Sequence, residues 1–314
     1  MTKLRSMKKR LVNTFIIVVC LLTSFDISAQ KYAEDYIKSG TISAKVGDID
    51  QAMSDFTKAI ELDARVPEGF YNRGLIYLKR KEYVLAEADF ARARKLRPDR
   101  ADILLQSGIT AKQLGHDKDA VSFIRKAIKV DPKAPEARFN LGLIFFEKDQ
   151  VFAAKNQFDS ILIYKPEYVP ALYQRALTFM KLEDPNAALR DLNKCCELTP
   201  LDPEMVMTRG TVKAGMRLYR IAKADFSKAI EIDPEYADAY MNRALATFNL
   251  MDWKNAESDY SEAIEIDDSI AEAWLGRALC RFNLSKNEEA CADLQKAKEL
   301  GHKMAQEYLD QLCK

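Results

Sequence analysis

Residues 203–236 read PEMVMTRGTVKAGMRLYRIAKADFSKAIEIDPEY, and residues 237–270 read ADAYMNRALATFNLMDWKNAESDYSEAIEIDDSI. Aligned, the two lines agree at chemically demanding places: Arg209 with Arg243, Gly210 with Ala244, Ala222 with Ala256, Asp225 with Asp259, Phe226 with Tyr260. Each line holds two stretches whose apolar residues recur at three- and four-residue spacing. That spacing predicts two amphipathic helices per line. A unit this short cannot bury its apolar faces alone, so it must stack on copies of itself.

The register extends both ways without insertion or deletion. Repeats cover 33–66, 67–100, 101–134, 135–168, 169–202, 203–236, 237–270 and 271–302. The eighth position is Gly or Ala throughout (Gly40, Gly74, Gly108, Gly142, Ala176, Gly210, Ala244, Ala278), and the twentieth is Ala in all eight, from Ala52 to Ala290. The twenty-fourth is large and apolar: Phe56, Phe90, Ile124, Phe158, Leu192, Phe226, Tyr260, Leu294. Small residues at the eighth and twentieth positions let the two helices of a repeat approach closely, with the large residue beside that contact. A large residue at Ala154 or Ala188 should overpack the seam, at a cost of about 1–3 kcal/mol. Turn-forming residues separate the helices at Gly47-Asp48, Gly115-His116-Asp117 and Asp184-Pro185. Asp184 is placed to cap a helix that Pro185 begins. Pro98, Pro132, Pro166, Pro200 and Pro234 share the thirty-second position and end the second helix.

Five repeats share a further pair, Arg at the seventh position and Asp at the twenty-third: Arg73/Asp89, Arg175/Asp191, Arg209/Asp225, Arg243/Asp259 and Arg277/Asp293. Repeats 3 and 4 lack both members (Ser107/Phe123, Leu141/Gln157), and repeat 1 has Asp55 with Ser39. Joint variation predicts structural ion pairs within a repeat. Pairing to the neighbouring repeat fits less well, because Arg175 would face Gln157. As surface pairs they would each contribute only about 0–1 kcal/mol and serve mainly to fix helix register.

The columns resemble the tetratricopeptide repeat, a helix–turn–helix unit of this length, over 33–302. The resemblance implies an all-α, right-handed superhelical solenoid of eight repeats. Residues 303–314 read as a C-terminal capping helix with Met304, Tyr308, Leu309 and Leu312 on its apolar face. Ala64, Asp268 and His302 depart from the Pro column. The resemblance also implies that first helices line a concave groove, with ligand met by their second, fifth, sixth, ninth, twelfth and thirteenth residues. In this sequence the residues expected to form that partner-binding groove are Tyr71, Asn72, Gln106, Phe139, Asn140, Leu143, Phe146, Tyr173, Gln174, Leu177, Met180, Met207, Met241, Asn242, Phe248 and Phe282. Side-chain amides both donate and accept, so a column of them suits peptide backbone of any sequence. Met and aromatic neighbours suit varied side chains. The same apolar residues serve equally well as helix-to-helix packing. The family's chaperone-tail binders carry Lys and Asn at the fifth and ninth positions. Here those positions are apolar or Thr, so that activity is not expected.

Composition agrees with a helical array. Of 314 residues only 11 are Gly and 10 Pro, too few for a turn-rich β fold, and 48% are apolar, enough for a core. Residues 1–29 carry five basic side chains and one Asp, a surplus of +4, which leaves −3 for the rest from a total of +1. A nucleic-acid partner is therefore not expected. Lys3, Arg5, Lys8, Lys9 and Arg10 precede a mostly apolar run from Leu11 to Phe25, and Ala29 supplies a small residue for cleavage. Residues 1–29 thus read as a secretory signal peptide and 30–32 as a short lead. A retained membrane anchor, or a lipoprotein using Cys20, are the alternatives. The run reaches about 22 Å as a helix, short of a hydrocarbon core of roughly 30 Å. Export to a bacterial periplasm or cell envelope is the expected destination.

Catalytic chemistry is not expected. The two histidines, His116 and His302, lie in distant repeats, and no phosphate loop, nucleophile elbow or zinc-helix motif occurs. No metal or cofactor is expected. Five cysteines follow the leader. Cys195 sits in an Ala column and reads as core; Cys280 with Cys291, or Cys313 between two copies, are candidate bridges. Lys79, Arg80, Lys81, Arg92, Arg94, Lys95, Arg97 and Arg100 form a basic cluster in repeat 2. It suits an acidic partner or anionic lipid, or else a solvated face answered by Glu82, Glu87 and Asp89. The expected function is a non-catalytic exported scaffold that grips a protein or extended peptide. The alternatives are a holdase for unfolded exported chains and a membrane-tethered assembly factor.

Overall fold

The computed structural model describes residues 29–313, and they form seventeen helices and no strand. The signal-peptide reading and its alternatives fall almost wholly on 1–28, outside the described residues. Repeats 1–4 supply α1 (29–46), α2 (Ile49–Leu62), α3 (Pro67–Lys79), α4 (Tyr83–Leu96), α5 (Ala101–Gln113), α6 (Asp117–Val130), α7 (Pro135–Glu147) and α8 (Val151–Tyr164). Repeats 5–8 supply α9 (Val169–Lys181), α10 (Pro185–Leu198), α11 (Pro203–Gly215), α12 (Tyr219–Ile232), α13 (Ala237–Asn249), α14 (Trp253–Ile266), α15 (Ala271–Asn283) and α16 (Asn287–Glu299). A short α17 (Ala305–Leu312) follows. The chain divides into two compact units, one through Ile144 and one from Phe145. Each is a helical stack in which successive helices pack on one another, as in a repeat solenoid. Among the described residues no helix is long and apolar enough to cross a membrane.

The ends differ from the sequence reading. Residues 30–32 are not a separate lead but part of the first helix, which is already helical at 29. The C-terminal helix is shorter than 303–314. Its buried residue is Ala305, while Met304 and Leu312 are exposed. Cys280 is fully buried and free, facing the core rather than α16. Cys291 instead bonds Cys313, 22 residues on, with the Cα atoms 5.8 Å apart. The pairing lies within the chain because α17 folds back onto α16. Eight residues make a marginal helix unaided, so packing on α16 through Ala305 and the crosslink together hold this cap. Cys313→Ser should raise amide exchange across 305–312 at least tenfold and leave α15 unchanged.

The small column makes room chiefly for the large twenty-fourth residue, and at Gly108 it also approaches Ala120 O of the Ala column, 3.1 Å from where a Cβ would lie. A Cβ built on Gly74 would lie 2.8 Å from Phe90 Cε1, and one on Gly210 2.7 Å from Phe226 Cε1. Sequence pairs these columns accordingly: Gly stands with Phe or Ile (Gly40/Phe56, Gly108/Ile124), and Ala with Leu or Tyr (Ala176/Leu192, Ala244/Tyr260). The Ala column is itself fully buried from Ala52 to Ala290.

The inter-helix turn has one backbone solution in all eight repeats. The fifteenth residue takes positive φ: Gly47, Lys81, Gly115, Asp149, Glu183, Arg217, Met251 and Ser285, from 56° to 90°. At Met251, the Met251 amide donates to Phe248 O (2.9 Å) and the Asp252 amide to Thr247 O (3.2 Å), which closes the end of α13. Six non-glycine residues accept this left-handed conformation, at about 1–2 kcal/mol each. Met251 is 75% exposed and packs on little. Met251→Gly should therefore stabilise the protein by about 0.5–1 kcal/mol, read as a higher urea midpoint.

The Arg and Asp columns form a ladder. Arg73 Nε and Nη2 donate to Asp89 at 2.8 and 2.9 Å, and the same two-pronged bond joins Arg175 to Asp191, Arg209 to Asp225, Arg243 to Asp259 and Arg277 to Asp293. Two features differ from the sequence reading. The carboxylates are buried, not surface groups. The remaining guanidinium nitrogen also reaches back to the twenty-fifth residue of the preceding repeat. Arg73 meets Thr57, Arg175 meets Asp159 at 2.7 Å, Arg209 meets Asn193, Arg243 meets Ser227 and Arg277 meets Ser261. Each arginine thus joins both helices of its own repeat to the repeat before. Where the ladder lapses, the preceding residue is Ala91 or Arg125, which cannot accept. Repeat 1 closes its gap with Ser39 Oγ on Asp55 at 2.7 Å. Repeat 3 uses Arg94, which donates to Ser107 Oγ at 2.6 Å and lies 4.1 Å over the Phe123 ring.

Burial opposes the charge on Arg175, but the bonds it donates to Asp191 and Asp159 outweigh that and hold the guanidinium above its ordinary value. Burial also pushes Asp159 up; Lys155 and Arg175 outweigh that and hold its carboxyl below its ordinary value. A carboxyl depressed by folding stabilises the fold above its unfolded pKa and loses that contribution as pH falls through the folded one. Stability should drop as pH falls below about 4, and Asp159→Asn should flatten the drop in urea midpoint between about pH 5 and 3.

Candidate partner-binding groove

The first helix of each repeat offers its fifth, sixth, ninth and twelfth residues on one face, because at about 100° per residue they fall within a sector of roughly 120° around the helix axis. All sixteen groove candidates are partly buried. They divide by what they touch.

In the first unit, Tyr71 packs with Phe70, Ala93 and Ile103, its ring 5.3 Å below the Arg100 guanidinium. Burial pushes its hydroxyl pKa up. Asn140 Nδ2 donates to Glu136 O, 2.8 Å away on its own helix. Gln106, Phe139 and Leu143 stay at the half-buried surface. Asn72 lines an open depression of ≈ 280 Å3 between repeats 1 and 2. Ile49, Phe56 and Ile76 form part of its floor; Thr41, Leu75, Lys45 and Lys79 border it. Thr41, Lys45 and Lys79 were outside the sequence-based set. Their signal was present, since they hold the ninth and thirteenth positions.

In the second unit, the fifth-position side chains serve repeat-to-repeat packing. Tyr173 and Met180 pack against Ala176, Ala188, Leu192 and Val212. The Tyr173 hydroxyl donates to Glu204 at 2.7 Å and lies 3.3 Å from Thr208 Oγ1, so it is bound internally. Burial pushes it up to about 12. Met207 bridges two core clusters and accepts from Thr211 at its sulfur. Met241 and Phe248 pack on Ala244, Tyr260 and Cys280, and Phe248 meets Trp253 edge-on at 4.7 Å. Asn242 Nδ2 donates to Asp238 O at 2.8 Å. Lys181 lies 4.5 Å over the Phe146 ring. Gln174, Leu177 and Phe282 remain half-buried on the face, and Leu245, at a ninth position, is 51% exposed. In the second unit the outward wall therefore consists of sixth-, ninth- and twelfth-position residues (Gln174, Leu177, Leu245, Phe282), with the fifth supporting it from behind.

The basic cluster of repeat 2 is largely answered within the chain. Arg80 pairs with Asp50 (2.6 Å), Arg94 with Glu87, Arg97 with Asp99, and Arg100 with Glu68 (2.6 Å) and Asp102. Apart from Glu87, these acids are not the ones the sequence suggested.

Stacked helix pairs whose first helices present half-buried apolar and amide side chains define a helical-repeat interaction protein. Two family models, both described as Tetratricopeptide repeat, match the chain: one over 39–101 and 207–269, the other over 101–133 and 169–200. Together they cover more than half of it, and the chain belongs to the tetratricopeptide repeat family, whose members mediate protein–protein interaction. Tetratricopeptide repeat protein 6 of Homo sapiens is 30% identical over 132 residues, which is 42% of this chain and 25% of that protein. The Hsp70-Hsp90 organizing protein of Triticum aestivum is 25% identical over 222 residues, 59% of this chain and 38% of that protein. The chain thus spans well under half the length of these curated relatives. A crystal structure of a tetratricopeptide repeat protein from Parabacteroides merdae superposes with TM-score 0.59 at 20% identity, covering 79% of this chain and 99% of that one. That likeness is one of fold.

Proposed function

We propose that the protein is an exported, non-catalytic scaffold that holds an extended segment of a partner protein along its first-helix face, in a bacterial periplasm or cell envelope. The observation that carries the reading is the depression between repeats 1 and 2. It combines an apolar floor with the Asn72 amide and two lysines at its border. An extended peptide needs both kinds of contact: apolar surface for side chains, and groups that donate and accept for its backbone. Export is supported by the basic-then-apolar leader and by the Cys291–Cys313 disulfide, a bond that persists in oxidising compartments. The intact mass of the native protein tests export: cleavage near Ala29 removes roughly 3 kDa, and a full-length mass would favour the tethered alternative.

Binding is tested on an array of peptides from exported proteins. A scaffold retains one sequence tightly, and Leu75→Glu with Asn72→Ala abolishes the signal. Weak retention of many apolar peptides would favour the holdase reading. Retention unaffected by the two substitutions would remove the groove from the account.

A further inference from the structure

The second helices carry a charge pattern that the first-helix groove does not use. Their twenty-sixth position is cationic in most repeats, and in repeats 5 and 6 the twenty-ninth neutralises that charge. In the second unit the twenty-ninth residue is Glu197, Glu231, Glu265 or Glu299 in repeats 5–8. There Lys194 pairs with Glu197 at 3.1 Å and Lys228 with Glu231 at 3.0 Å, one helical turn apart. In repeats 2 and 3 the same position is Lys95 and Lys129, behind Arg92 and Lys126. The local answer to the charge is replaced by more of the same charge.

The rest of that face adds to it. Lys118, Val121, Ser122, Arg125, Lys126 and Lys129 line an open depression of ≈ 390 Å3 on α6. Arg125 holds the twenty-fifth position, where other repeats place the acceptor for the next arginine. Among the described residues no carboxylate lies within ion-pair distance of Lys95, Lys118, Arg125 or Lys129. The acids of α4 are engaged inward, Glu87 with Arg94 and Asp89 with Arg73. Those of α6, Asp117 and Asp119, are confined to its first turn. Val84 on α4 and Val130 on α6 are also exposed. Lys118 to Lys129 extends about 16 Å along the helix. A positive strip of that size in a mature chain of net −3 attracts an acidic, partly apolar segment through several contacts at once.

We infer that the second-helix face of repeats 2 and 3 is a docking surface for an acidic protein segment, separate from the first-helix groove. The test uses the full mature chain and a fluorescein-labelled deca-glutamate peptide, with deca-lysine as the sign control. Anisotropy should show binding of deca-glutamate at about 20 mM salt, weakening severalfold at about 300 mM. Lys118→Glu with Arg125→Glu and Lys129→Glu should weaken it at least about tenfold with far-UV dichroism unchanged, since all three are exposed. Lys194→Glu with Lys228→Glu, in the neutralised repeats 5 and 6, should change it by less than about twofold. Equal binding by the triple variant would overturn the inference. So would sedimentation with phosphatidylserine vesicles that the triple variant loses while the peptide fails to bind, which would give the face to a membrane.

Discussion

Asp293→Ala should destabilise the array by about 3 kcal/mol, a large loss for a single polar side chain. The Asp293 side chain is 3% exposed and accepts three bonds: from Arg277 Nε and Nη2 at 2.9 and 2.8 Å, and from Arg281 Nη1 at 2.8 Å. Removing a buried acid leaves its bases without a partner, which costs about 3–5 kcal/mol when burial is complete. Arg277 and Arg281 retain some contact with water, so the low end applies. Replacing both partners by apolar residues, Arg277→Met with Asp293→Leu, should recover most of the loss, because Arg281 keeps Glu257 at 3.1 Å. Urea midpoints of the two variants check this. Equal loss in both would mean that packing volume, not charge, dominates the site.

Gly276→Ala should cost about 2 kcal/mol, in the opposite direction to its helix propensity. A Cβ there would sit against the buried Tyr260 ring, with Cε1 at 2.6 Å and Cε2 at 2.7 Å. Moving a ring in a packed core costs about 1–3 kcal/mol, against a gain of at most about 1 kcal/mol from replacing glycine in a helix. Other repeats carry Asn, Gln, Thr or Lys at this sixth position; Gly276 answers the one tyrosine in the twenty-fourth column. Two comparisons isolate the cause. Gly215→Ala, where nothing lies within 4 Å, should be stabilising. Gly276→Ala combined with Tyr260→Leu should lose less than the sum of the single changes, since Leu192 and Leu294 already serve in that column. Strict additivity would show that the ring is not the obstacle.

The repeat length, helix pairing and Arg/Asp coupling were legible because each leaves a column, and eight copies separate a column from chance. What escaped depends on geometry between columns. The backward reach of Arg175 to Asp159 joins the seventh position to the twenty-fifth of another repeat. The two columns vary together (Thr57, Asp159, Asn193, Ser227 and Ser261 precede arginines), but only the fold shows why. The left-handed fifteenth position was hidden because hydrogen bonds at the helix end impose it on Lys81, Glu183 and Met251, and only two repeats show Gly there. Tyr173 and Met207 read equally well as groove or packing from spacing alone, and their contacts place them behind the outward wall. The Cys291–Cys313 pair depends on where the chain turns after Gly301, at a φ of 86°. A single copy of that turn leaves no column to read.

Photo-crosslinking in the native host tests the proposed use of the first-helix face most directly. One probe replaces Leu245, exposed on α13; the other replaces Glu265, exposed on the second helix of the same repeat. The account predicts a discrete adduct from Leu245 and none from Glu265. An adduct from Glu265 alone would contradict it and leave the first-helix face as internal packing.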